Sequence, residues 1–162
     1  MLDELETQEE SDFQWMLHAL EEMSIDKNKV VSQRKNARLS VWLKSNQELS
    51  ISQTDQFEPP FNEGSPKEFH KEMLNHWHVK AETQGKSKKC RIATIMVVDT
   101  LRRPVQISFK EHSGWFSISA QTEIGEIEGW IQLETQTSVP LGYKKKNSLL
   151  CAKDYSKDVI QM

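Results

Sequence analysis

The sequence predicts an α+β domain, a single twisted antiparallel sheet with two helices packed against it. Three observations lead to this fold class. Apolar residues recur at helical spacing over residues 11–24 and again over 65–77, and each stretch opens on helix-start chemistry. Segments of period-two alternation occupy 37–44 and much of 90–133. Only short polar turns separate the later segments, so consecutive strands are expected to pair as antiparallel neighbours.

The length of 162 residues fits one domain with a modest core. Hydrophobic residues make up 36% and charged residues 28%, a balance that predicts loosely ordered segments beside a compact part. The expected organisation is a disordered acidic leader over 1–10, a folded domain over 11–152 with a mobile loop at 52–65, and a flexible tail over 153–162.

In chain order, the leader carries Asp3, Glu4, Glu6, Glu9 and Glu10. Ser11 then stands as an N-cap with Gln14 three residues on, and Asp12 complements the positive end of a helix dipole. Phe13, Met16, Leu17, Leu20 and Met23 form one apolar stripe. That helix packs on its own domain or docks a partner through Phe13, Leu17 and Leu20. Leu39, Val41 and Leu43 alternate with Arg38, Ser40, Trp42 and Lys44, as in a half-buried strand. Leu49 and Ile51 return after the turn at Ser45-Asn46, and the loop that follows holds Phe57, Pro59, Pro60 and Phe61. Ser65, Pro66 and Glu68 make a capping box with proline in the first turn, ahead of Phe69, Met73, Leu74 and Trp77.

A basic loop follows over 84–89. Residues 90–98 are apolar on both faces, the pattern of a central strand covered on two sides. Val105-Ile107-Phe109, Phe116-Ile118-Ala120 and Gly129-Ile131-Leu133 then read as a meander, and 148–152 as a last short strand.

Few residues point to chemistry. Net charge is −3 and the isoelectric point is near 6.0, unlike a dedicated nucleic-acid-binding domain. Cys90 and Cys151 are too few and too far apart for a zinc site or a disulfide framework. Residues 1–12 lack the apolar segment of a signal peptide, and no apolar run approaches the roughly 18 residues of a spanning helix, so an intracellular location is expected. Gly85-Lys86-Ser87 fails as a P-loop, because position 80 holds Lys80 where glycine is needed. No spacing suggests a triad or paired carboxylates, so neither an enzyme nor a bound cofactor is expected.

Three features remain. His76-Trp77-His78 with Tyr143 downstream resembles the metal-binding and nucleophile motifs of the HUH single-strand nucleases, which would make His76, His78 and Tyr143 the working residues. Lys86, Lys88, Lys89 and Arg91, with Lys144, Lys145 and Lys146, gather positive charge suited to anionic lipid, nucleic acid or an acidic protein. Trp42, Trp115 and Trp130 lie on polar faces or beside turns, where aromatic side chains serve as contacts.

The order of these elements resembles the core of a rhabdovirus matrix protein over residues 39–142. The resemblance rests on Leu43-Lys44-Ser45-Asn46, His76-Trp77, Gly85-Lys86 leading into Ile92, and Glu128-Gly129 ahead of Pro140. It implies a non-enzymatic structural protein that forms homo-oligomers and bridges the nucleocapsid and the inner membrane surface, with no small-molecule substrate. It places the protein in host cytoplasm, on membranes and in the virion. It makes Phe57, Pro59, Pro60 and Phe61 a self-association segment and the lysine set a contact for membrane or nucleocapsid.

Overall fold

The computed structural model describes residues 1–56, 76–122, 125–134, 141–145 and 148–153, the last two stretches as backbone. Among these residues there are thirteen strands and no helix. They are β1 (Leu2–Ser11), β2 (Gln14–Ala19), β3 (Ser24–Asp26), β4 (Lys29–Arg34), β5 (Ala37–Ser45), β6 (Leu49–Thr54) and β7 (Trp77–Thr83). After them come β8 (Ser87–Thr100), β9 (Gln106–His112), β10 (Trp115–Thr122), β11 (Gly125–Gln132), β12 (Leu141–Lys145) and β13 (Ser148–Lys153). The α+β expectation is therefore corrected to all-β, and the single sheet to three antiparallel sheets.

The predicted first helix is the clearest reversal. Phe13, Trp15, Leu17 and Ala19 turn towards the core at every second position, while Met16 and Leu20 remain 48% and 45% exposed. Apolar residues on both faces of a strand imitated a helical stripe. The β2 backbone is satisfied instead by β7, from Gln14 opposite Glu82 to Ala19 opposite Trp77. The second predicted helix lies outside the described residues up to position 75, and its last apolar residue, Trp77, opens β7. The acidic leader forms β1, paired with β8 from Leu2 opposite Ala93 to Glu6 opposite Lys89. Of the 52–65 loop, positions 52–54 complete β6 and positions 57–65 lie outside the described residues, as does the tail beyond 153.

The middle sheet runs β1-β8-β5-β4-β3. One face meets the sheet β2-β7-β6 in the main core, where Val30, Val41, Leu43, Cys90 and Ile92 pack with Phe13, Trp15, Leu49, Val79 and Ala81. Fully burying a side chain of this kind stabilises by about 1.5–3 kcal/mol, so this interface is the main source of stability. The other face meets the meander. Trp42 of β5 lies 5.8 Å from Phe109 of β9 between ring centroids, Phe109 lies 6.2 Å from the buried Phe116, and Lys44 pairs with Glu111. Three layers result. Coverage from both sides explains why Ile92, Ala93 and Thr94 are buried in succession. Further along β8 coverage ends, and Val98 is 75% exposed.

The meander closes the chain as β9, β10 and β11 in sequential hairpins, with β12 and β13 added at its edge. Gly114 makes the first of these turns at a φ of 73°, in the left-handed region that glycine enters without steric cost. Its carbonyl then accepts hydrogen bonds from the backbone N–H groups of Leu133 and Glu134, at 2.8 and 3.0 Å.

Candidate functional site

Strand alternation splits the meander into two faces. Ile107, Phe109, Phe116, Ile118, Ala120, Ile127 and Ile131 share the face turned to Trp42. The residues between them are polar or aromatic and form rungs on the opposite face. Lys110, Ser117 and Trp130 stand side by side across β9, β10 and β11, and Ser108, Ser119 and Glu128 form the next rung. A trough of about 300 Å³ lies between the two, with the backbone of Phe109, Ile118 and Gly129 as its floor.

The surroundings hold these side chains in place. The Ser108 and Ser119 hydroxyls are 3.3 Å apart and hydrogen-bond one another. One rung above, the His112 and Trp115 rings stack at 3.7 Å with only 4° between their planes, beside the buried Gln132. On the β12 side, Gly142 stands opposite Trp130 and Lys144 opposite Glu128. A glycine at that register brings no side chain to crowd the tryptophan. The trough thus combines a flat aromatic ring, a carboxylate, an ammonium group and three hydroxyls.

The positions anticipated from sequence are dispersed. Lys89 pairs with Glu6 at 3.0 Å and Arg91 pairs with Glu4, so strand β1 neutralises half of the basic loop. These groups line a cleft of about 540 Å³ with Asn46 and Glu134, and its principal charges already face one another. Lys86 and Lys88 are exposed, and neither is ion-paired among the described residues. Lys144 and Lys145 lie on β12, while Lys146, Phe57, Pro59, Pro60 and Phe61 lie outside the described residues. Phe13 is core and Leu17 packs against the core, so of the three expected partner anchors only Leu20 faces solvent. His78 is on β7 and Tyr143 on β12, in sheets on opposite sides of the middle one, and the nuclease constellation does not assemble. Trp42 is half-buried under Phe109, with the Lys29 ammonium 5.1 Å from its ring centroid.

Shifted titrations fall on structural groups. Burial pushes the Cys90 thiol up, against a weaker opposing contact from the Ser45 hydroxyl, which makes it a poor nucleophile. Hydrogen bonds from Lys80 and then Gln14 hold the Glu82 carboxyl down. No three His, Cys, Asp or Glu side chains converge on a common point among the described residues. No helix among them is long and apolar enough to cross a membrane.

No protein-family model and no curated protein matches the chain.

The sequence marks Trp130 as a candidate contact by its place beside a turn. Lys110, Ser108, Ser117 and Ser119 carry no signal of their own and Glu128 enters only through the matrix-protein resemblance, although the alternation that marks the apolar positions of the meander also marks all five as one polar face.

Proposed function

We propose that this protein is a non-enzymatic carbohydrate-binding module whose site is the meander trough. The observation that carries the reading is the convergence of six side chains from two adjacent rungs, with Trp130 at one end, on a single trough. A pyranose ring has one face of C–H groups and a rim of hydroxyls. The indole offers a flat apolar surface to that face. Glu128 accepts from the hydroxyls, Lys110 donates to them, and Ser117 and Ser119 do either. A volume of about 300 Å³ is at the lower end for ligand pockets, which suits one sugar unit of a longer chain.

The other readings have less to rest on. A matrix-like protein needs a membrane contact, and β1 leaves Lys86 and Lys88 as that loop's lysines without an ion pair among the described residues. At about 1 kcal/mol for each charge near a lipid surface, two lysines do not hold a protein there. The helix expected to dock a partner over 11–24 is replaced by strand β2, and Phe13 ahead of it and Leu17 within it turn towards the core.

Screening the purified chain on immobilised glycans, followed by calorimetry on the best binder, tests the proposal. Trp130→Ala and Glu128→Gln are expected to weaken binding at least about tenfold, as loss of a stacked ring or a charged hydrogen bond implies. Lys86→Ala is expected to leave it unchanged. Absence of glycan binding, or binding indifferent to Trp130→Ala, overturns the reading.

A further inference from the structure

We propose a second site, for a divalent transition-metal ion, on the outward face of the sheet β2-β7-β6, with His18 and His78 as its protein ligands. Neither residue takes part in the trough. Cross-strand register places His18 of β2 directly opposite His78 of β7, with Thr54 of β6 on the far side. Both histidines stand on the face away from the core, since Trp77 and Val79 on either side of His78 turn inward. Their ring centroids are 5.7 Å apart, and the planes are tilted by 38°.

That spacing suits a shared ion. Imidazole nitrogens bind Zn²⁺ at about 2.0–2.1 Å, which sets two rings on one tetrahedral ion with centroids roughly 5 Å apart. Small side-chain rotations close the difference, and the paired backbones hold the Cβ atoms in place. His78 is only 9% exposed whereas His18 is exposed, so an ion enters from the His18 side and keeps open positions for water. Imidazole favours Zn²⁺, Cu²⁺ and Ni²⁺ over Mg²⁺ or Ca²⁺. The charged groups of this outward face on the three strands are Lys80 and Glu82, which pair with each other at 3.1 Å. Lys80 is thereby partly neutralised towards an incoming cation.

In the sequence the histidine triplet resembles a metal motif at the end of the predicted second helix. The structure assigns the partnership differently. The strand begins at Trp77, His76 precedes it, and the second ligand comes from β2, sixty residues earlier in the chain.

Calorimetry with Zn²⁺ and electron paramagnetic resonance with Cu²⁺, both on the full chain stripped of metal, test the site. One ion per chain with two nitrogen couplings is expected. Binding is expected to weaken at least about tenfold in His18→Gln, an exposed position that leaves the fold intact, and to persist in His76→Gln and His112→Gln. No uptake of either ion, equal binding by His18→Gln, or loss in His76→Gln instead overturns the proposal. His78→Gln adds a second check wherever that variant folds.

Discussion

Arg38 on β5 grips Asp99 on β8 with two nitrogens, Nε at 2.9 Å from Oδ1 and Nη2 at 2.6 Å from Oδ2. The Asp99 side chain is 3% exposed, and its Oδ2 also accepts from the Val105 backbone N–H at 2.9 Å. One carboxylate therefore ties the pair of central strands to the turn that leads into the meander.

Removing Arg38 leaves that carboxylate buried with a single donor. Arg38→Met is expected to destabilise the fold, read as a lower midpoint in urea unfolding. The Arg38 hydrogen bond, and less so the Val105 N–H, hold the Asp99 carboxyl below its ordinary value of 3.8. A depressed carboxylate stabilises above its unfolded value and loses that stability as pH falls through the folded one. Stability should therefore decline from about pH 4 downward, and Asp99→Asn should flatten that decline. An unchanged acid limb in Asp99→Asn counts against the assignment.

Leu17 and Leu20 distinguish the strand from the helix that the sequence suggests. On a helix both would lie on one stripe. In the structure Leu17 packs against the core and Leu20 is 45% exposed. Leu17→Asp is expected to cost roughly 3 kcal/mol or more, because a charge is placed at the edge of the core. Leu20→Asp should stay within about 0.5 kcal/mol of the parent. Equal effects in thermal unfolding would speak for the helix.

The lysine loop makes a prediction through its partners. Flotation with vesicles containing phosphatidylserine at physiological salt is expected to leave the protein unbound, since Glu6 and Glu4 neutralise Lys89 and Arg91. The double change Glu4→Gln with Glu6→Gln frees two cations and should produce weak binding that salt abolishes. Strong flotation of the parent protein would revive the membrane reading.

Cys90 reports on the core. It is buried against Ile92 and Leu43, and burial raises its thiol above the ordinary range. In a Cys151→Ser background, reaction with a disulfide reagent near pH 8 should be at least about tenfold slower in the native protein than in denaturant. Comparable rates in the two states would place the thiol at the surface.

Some of this molecule is written locally. The alternation of Leu39, Val41 and Leu43 and the three short segments ending at Leu133 specify strands by side-chain period alone. Residues 90–98 announce a strand with apolar residues on both sides, and β8 carries it. The polar positions of the meander follow from the same period, so the rungs around Trp130 were readable in principle. Other features depend on partners distant in sequence. Residues 14–19 carry apolar side chains compatible with either period, and pairing with β7 selects the strand. The basic loop looks free until β1 brings Glu4 to Arg91 across 87 positions. His18 and His78 acquire a relationship only through that β2–β7 register. Local propensity is weak where two periods fit one segment, and ion pairing and metal geometry arise only when the tertiary fold brings distant strands together.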